Sequence, residues 1–313
     1  MPITAGCRLP VTNRIFDILK GALRGQVLAN EPLAPHTTWH IGGPADLFLR
    51  PLDSADLVLT LSLLQAYRLP WEIVGGGSNL LVRDGGVRGA VLHLGHLDKV
   101  EFGDHGLVWA GAGVPLMALI RQTAERGLGG LEGLAGIPGT LGGAVAMNAG
   151  AGARDMASVV RSVLLAGAEG SQEWPAAQLS FGYRRSELPP GRVITEVLLQ
   201  LQPAEPAELL EEIAGRLQHR HRAQGVGGPN AGSVFKNPPG ESAWRLIDRA
   251  GMRGAAVGQA QVSEHHCNFI INRGGATAEE VLALIGRVRD EVEGQTGIRL
   301  ETEVRIFGQP KAN

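Results

Sequence analysis

The sequence holds only two cysteines, Cys7 and Cys267, in 313 residues. That excludes a disulfide framework and suits a reducing compartment. There is no surplus of positive charge: the formal net charge is −2. A general nucleic-acid binder, whose affinity rests on neutralising phosphates, is therefore not expected. No run of about 18 apolar residues occurs, so no membrane insertion is expected either. The opening segment MPITAGCRLPVTNRIFDILK lacks the basic start and unbroken apolar run of a secretion signal. A cytoplasmic protein is the expectation. HRHR (219–222) and HHC (265–267) lack the spacing of zinc ligands. Adjacent residues of a strand point to opposite faces, so HHC read as a strand makes no metal site. HRHR reads as a helix end, where cations complement the macrodipole. Neither GxxxxGK[ST] nor a G-x-G-x-x-G opening a helix is present, and GAGVPL (111–116) is only a fragment of the latter. No internal repeat is found.

Glycine is abundant instead, at 45 residues, within a chain that is 44% hydrophobic and 19% charged. This composition supports a folded core and roughly two or three domains. The glycines sit among Ile, Leu, Val and Ala, which is not linker composition. They concentrate in VGGGSNLL (74–81) and GIPGTLGG (136–143), the second inside an uncharged stretch at 134–153. Glycine lets a ligand approach the main chain, and successive N–H groups in such turns form anion-binding nests. Ser78, Asn79 and Thr140 add short polar side chains. Two readings follow: backbone packed tightly at sheet corners, or a dinucleotide pyrophosphate held by amides.

Three regions are expected, at 1–92, 93–204 and 205–313. In the first, SADLVLTLSLLQAYRL (54–69) has helical spacing, with Ser54 as cap and Leu57, Leu61 and Leu64 on one face. WEIVGGGSNLLV (71–82) reads as a strand, a glycine turn, and a strand or helix start, and AVLHL (90–94) as a strand. The second region has strands at LVWAGAG and VITEVLLQL. Its helix is PLMALIRQTAERG (115–127), opened by Pro115 and stopped by Gly127. In the third, AELLEEIAGRLQHRH (207–221) turns Leu210, Ile213 and Leu217 to one side. TAEEVLALIGRVRDEVEG (277–294) has a Thr277–Glu280 capping box, a stripe of Val281, Leu284, Val288 and Val292, and Gly294 or Gly297 to close it. RLETEVRIF (299–307) reads as a strand with Leu300, Val304 and Ile306 on one face and Glu301, Glu303 and Arg305 on the other. The arrangement is α+β, without the alternation of a doubly wound sheet.

Three segments offer chemistry. FGYRRSEL (181–188), read as a strand, sets Phe181 and Tyr183 opposite Arg184 and Ser186. Arg184 is either a surface charge or a fork for a carboxylate. NAGSVFKNP (230–238) puts Ser233 in a turn, as an ordinary turn serine or a proton donor; no His/Asp partners suggest a nucleophile. The acidic face of RLETEVRIF is either solvated or catalytic.

VGGGSNLLV, GLAGIPGTLGGAVAMNAGA, FGYRRSEL, NAGSVFKNP, AQVSEHHCNFIIN and ETEVRIFG resemble, in that order, the UDP-N-acetylenolpyruvoylglucosamine reductases of peptidoglycan synthesis. HTTWHIGGPADLFLRP (36–51) extends the resemblance toward the N-terminus. It implies an FAD-binding fold of the vanillyl-alcohol oxidase/PCMH type, with two α+β FAD subdomains and a C-terminal α+β substrate-binding domain. FAD is then bound non-covalently by Gly75, Gly76, Gly77, Ser78, Asn79, Gly136, Ile137, Pro138, Gly139, Thr140, Gly142, Gly143, Asn148 and Ile194. Tyr183, Lys236 and Asn237 face the substrate, the last two at its diphosphate. Arg184, Ser233 and Glu303 are catalytic by this resemblance.

The implied reaction is ping-pong. NADPH reduces FAD and leaves, then flavin N5 gives hydride to the methylene carbon of UDP-N-acetylglucosamine enolpyruvate. Arg184 and a protonated Glu303 stabilise the charge spreading into the carboxylate, and Ser233 supplies the proton. The product is UDP-N-acetylmuramate, and the enzyme is expected to be a monomer or weak oligomer. The sequence departs from the pattern after NAGAGA (148–153), where a tyrosine or histidine is commoner, and at Gly225, where proline is commoner. The short spacing from YR to GSVFKNP resembles the subtype without an extra loop bearing a substrate-binding tyrosine. Two rivals remain. A flavin oxidase of the same fold would often carry a flavin-linking histidine near the glycine turn, and VGGGSN has none. A non-catalytic nucleotide-binding module would be indifferent to loss of Ser233.

Overall fold

The computed structural model describes residues 13–151 and 154–311. Cys7, most of the N-terminal segment and the last two residues of NAGAGA lie outside them. The chain forms two compact units. The first takes in the described residues to Asn30, Asp46–Gly75 and Arg88–Leu217; the second takes in Glu31–Ala45, Gly76–Val87 and the described residues from Gln218 onward.

The first unit centres on a five-stranded antiparallel sheet. Its order is Gly170–Pro175, Val160–Gly167, Val193–Gln200, Leu107–Gly111, Val100–Phe102. VITEVLLQ shows why the middle strand forms: Val193, Thr195, Val197 and Leu199 recur with period two and all are buried. A four-stranded sheet, most of whose residues belong to this unit, runs Gln26–Pro32, Pro44–Arg50, Val87–His93, Trp71–Val74. The last two strands are parallel and are joined through residues 75–86, while the helix Ser54–Ala66 links Pro44–Arg50 to Trp71–Val74. Its inward face carries Leu57, Leu61 and Leu64, as the spacing predicts. The cap is Asp53, one residue before the expected Ser54: its carboxylate accepts the N–H of Asp56 at 2.9 Å. That bond, chiefly, holds the Asp53 pKa below its ordinary value. Pro115 likewise sits at the N-cap of the helix Leu116–Glu125. The long helix Pro206–Gln224 buries Leu209 and Ile213, four residues apart, and leaves the expected Leu210 40% exposed.

The second unit packs the helices Ala243–Arg249 and Ala278–Thr296 with a three-stranded antiparallel sheet, Ala256–Val257, Ala260–Val262 and Ile270–Asn272. Its core gathers Trp39, Phe235, Leu246, Val281, Leu284 and Val288. Thr277 and Glu280 form both bonds of the capping box, and left-handed Gly297 ends the helix.

Three segments read as strands are not. RLETEVRIF is paired only at Arg305–Phe307, parallel to Leu80–Val82, while Thr302 forms a lone bridge with Phe235. The chain changes partner between them, where the N–H groups of Glu303 and Val304 both point at the carbonyl of Val234, at 2.8 and 3.5 Å. The kink turns Ile306 outward, away from buried Leu300 and Val304. FGYRRSEL folds into a tight turn, with Gly182 N–H to Arg185 O at 2.9 Å and Arg185 N–H to Gly182 O at 3.3 Å. HHC is also a turn, because Ser263 Oγ accepts the N–H groups of both His265 and His266. Among the described residues no helix is long and apolar enough to cross a membrane.

Candidate functional site

The two glycine turns meet in the first unit. A Cβ on Gly75 would stand 2.7 Å from Thr140 Oγ1, so the turns approach this closely with glycine at 75 and a side chain there would push the Thr140 hydroxyl aside. Thr140 precedes the short helix Leu141–Ala146. The second turn is bound to the segment before the helix Leu116–Glu125: Leu141 N–H reaches Val114 O at 2.9 Å, Gly142 N–H reaches Ala112 O at 2.8 Å and Leu116 N–H reaches Gly139 O at 3.0 Å. These bonds sort the expected cofactor residues. Leu141 and Gly142 are buried with their N–H groups committed to carbonyls. Gly75, Gly136, Ile137, Pro138, Gly139, Thr140 and Gly143 keep accessible surface. The result is a bare, uncharged backbone surface that suits the pyrophosphate and ring system of a flavin dinucleotide. Ile194 contributes its side chain to the first unit's core.

The first turn continues into the second unit. Gly77 has φ +63°, and a Cβ there would lie 2.0 Å from the carbonyl of His36. Thr38 N–H donates to Gly77 O at 3.1 Å, and Thr38 Oγ1 to Asn230 O at 2.6 Å. Gly76, Ser78 and Asn79 retain accessible surface. The Asn79 amide is turned toward the C-terminal segment: Nδ2 donates to Glu303 O at 3.2 Å, and Arg305 N–H returns to Asn79 O at 3.1 Å.

Arg184 belongs to the first unit, on the Gly182–Arg185 turn. Its backbone is left-handed, with φ 57°, a conformation a long side chain seldom adopts. Its Nη1 donates to Gly150 O at 2.9 Å, and its guanidinium lies 5.3 Å from the Tyr183 ring centre. Tyr183 is 57% exposed and free to meet a ligand. A cation half-shielded beside an exposed ring is a fitting receptor for a carboxylate.

Ser233 and Glu303 come together in the second unit. Ser233 follows Gly232, whose N–H is held by Asn230 Oδ1 at 3.0 Å. The next residue, Val234, accepts the N–H of Glu303, so serine and glutamate project from neighbouring segments. Lys236 and Asn237 have protein partners. Lys236 Nζ lies 2.5 Å from Glu301 Oε1, and Asn237 Oδ1 accepts Ala243 N–H at 2.9 Å to cap the helix Ala243–Arg249. The residue that organises this region escaped sequence reasoning. Buried Asn268 clips Phe235 from both sides, with Oδ1 accepting its N–H at 2.9 Å and Nδ2 donating to its carbonyl at 2.8 Å. Asn268 lies within AQVSEHHCNFIIN, but a lone asparagine has no sequence signal for this use.

Of the histidine segments, His219–Arg222 ends the helix Pro206–Gln224, as expected. His266 packs on Phe269 with ring centres 4.9 Å apart, and burial lowers its pKa. Burial pushes the neighbouring Cys267 thiol up to about 11, helped by the Asp248 carboxylate.

A family model of an FAD binding domain matches residues 45–174, and one of the C-terminal domain of UDP-N-acetylenolpyruvoylglucosamine reductase matches residues 221–307. The UDP-N-acetylenolpyruvoylglucosamine reductase of Syntrophotalea carbinolica is 55% identical over 287 residues, covering 92% of this chain and 96% of its own length. That of Geobacter metallireducens is 48% identical over 299 residues, covering 96% and 100%. The crystal structure of the Thermus caldophilus UDP-N-acetylenolpyruvylglucosamine reductase has a TM-score of 0.78 at 37% identity, covering 91% of this chain and all of that one. The expected α+β FAD-binding fold with a C-terminal domain stands.

Proposed function

The chain belongs to the UDP-N-acetylenolpyruvoylglucosamine reductase family, and from that premise we propose its reaction: FAD-dependent reduction of UDP-N-acetylglucosamine enolpyruvate to UDP-N-acetylmuramate, in cytoplasmic peptidoglycan precursor synthesis with NADPH as reductant. The observation that carries the reading is the convergence of Gly75 with Thr140. It turns two glycine segments remote in sequence into one backbone surface suited to a dinucleotide. When bound, FAD supplies the hydride-transfer chemistry. Regions 1–92 and 93–204 hold the cofactor and 205–313 the substrate, with the accessible glycines, Ile137, Pro138, Ser78 and Thr140 as the cradle.

Arg184 binds the substrate carboxylate, where charge accumulates as hydride adds to the methylene carbon. Its contribution is larger in the transition state than in the ground state, which accelerates the step. Ser233 Oγ gives a proton to the carbon beside that carboxylate, and Glu303 in its protonated form donates toward the same charge. Tyr183 covers the substrate, and Lys236 reaches the diphosphate by exchanging its contact with Glu301. Such an exposed ion pair is worth only about 1 kcal/mol or less, so a phosphate displaces it readily.

Gly75→Val tests the cradle. A branched side chain there expels Thr140 and separates the turns, so the variant is expected to purify folded but without bound flavin. Absorbance near 450 nm per chain checks this, and stoichiometric flavin in the variant would remove Gly75 from the cofactor site.

A further inference from the structure

We propose that Asn148 is a positioning residue for Arg184, serving the carboxylate end of the substrate and not the cofactor. The inference rests on the reading of Arg184 as the carboxylate ligand. Asn148 is 4% exposed and left-handed, with φ 40°. Its Nδ2 donates to Gly182 O at 3.0 Å and to Asp155 Oδ2 at 2.9 Å, while Oδ1 accepts the N–H of Ala157 at 3.0 Å. An amide side chain has two N–H donors, and both have protein acceptors. Neither is left to donate to a dinucleotide.

Gly182 opens the turn that carries Arg184. On the far side of that turn, the N–H and Oγ of Ser186 both donate to Ala146 O, at 3.1 and 3.0 Å. Arg184 itself reaches Gly150 O. Ala146, Asn148 and Gly150 therefore hold the turn at both ends and the guanidinium between them. A left-handed arginine persists only where its surroundings over-determine the conformation. Of these three anchoring residues, Ala146 and Gly150 offer main-chain carbonyls and Asn148 uses its side chain. Asparagine is suited to this tie, since it tolerates the left-handed region while presenting both a donor and an acceptor. Losing the tie lets the turn relax and carries the guanidinium off its target.

The test compares two ligands by titration calorimetry on the FAD-loaded protein: UDP-N-acetylmuramate, which bears the carboxylate, and UDP-N-acetylglucosamine, which lacks it. Asn148→Gly keeps the backbone conformation and deletes the amide. Asn148→Asp, made together with Asp155→Asn so that two carboxylates do not face each other, keeps the acceptor for Ala157, deletes the donors of residue 148, and serves if the glycine variant does not fold. Each variant is expected to bind UDP-N-acetylmuramate about tenfold more weakly, the scale of one hydrogen bond to a charged group, and UDP-N-acetylglucosamine unchanged. In an Arg184→Ala background neither substitution is expected to cost anything further, because residues acting through one another are not additive. Loss of FAD with carboxylate affinity intact would make Asn148 a cofactor contact and overturn the proposal. Equal weakening of both ligands, or full additivity with Arg184→Ala, would overturn it as a general structural effect. If the unaltered protein fails to prefer UDP-N-acetylmuramate, the reading of Arg184 fails and the proposal with it, an outcome recognisable before any variant is made.

Discussion

Ser233→Ala is expected to leave reduction of the flavin by NADPH intact and to slow reoxidation by the enolpyruvyl substrate by about 10²- to 10⁴-fold, the range a positioned general acid contributes. The substitution removes one hydroxyl from a half-buried turn position. The turn is held by main-chain and asparagine contacts, at Gly232 by Asn230 and at Val234 and Phe235 by Asn268. Alanine disturbs none of these, so a lost rate reports chemistry and not unfolding. Rapid-mixing absorbance separates the two half-reactions. Full-rate reoxidation in the variant would remove Ser233 from the mechanism, and would favour a binding module or a different proton source.

Arg184→Ala is expected to lower kcat/KM for the enolpyruvyl substrate by about 10²- to 10³-fold, the cost typical of deleting one stabiliser of developing negative charge. Arg184→Lys is expected to recover only part of it. A lysine restores the charge as a point but not the planar fork that grips both carboxylate oxygens. It also reaches Gly150 O with one donor group where arginine divides its N–H groups between that carbonyl and the ligand. Flavin content and NADPH-driven bleaching should match the unaltered protein in both variants. A lysine variant as active as the parent would mean that charge alone matters and the fork does not.

Sequence reasoning was strong where the physics is local. Thr277 and Glu280 lie three residues apart and need only each other to cap a helix, so the capping box was legible. The glycine turns were legible as bare, uncharged backbone because six glycines fall within one apolar, uncharged stretch. Sequence reasoning failed where one contact from far away decides the conformation. The Asn79 amide meets the carbonyl of Glu303 across 224 residues, and the Asn268 clip reaches Phe235 across 33. Neither leaves a periodic trace. FGYRRSEL and RLETEVRIF alternate as strands should, but ties from Asn148 and Val234 bend them. Those bends carry Arg184 and Glu303. The sites of local failure are the candidate chemistry itself, as expected where function overrides local preference. The Leu210 misreading has a simpler cause: neighbouring leucines on a helix differ by about 100° in direction, and periodicity alone does not choose between them.

The decisive measurement is the visible spectrum of the purified protein under anaerobic conditions, followed through addition of NADPH and then of UDP-N-acetylglucosamine enolpyruvate. A flavin-dependent reductase shows yellow absorption that NADPH bleaches and the enolpyruvyl sugar nucleotide restores, with one UDP-N-acetylmuramate formed per flavin. Bleaching that only oxygen reverses would point to an oxidase, and absence of flavin after incubation with FAD would contradict the assignment of the glycine turns.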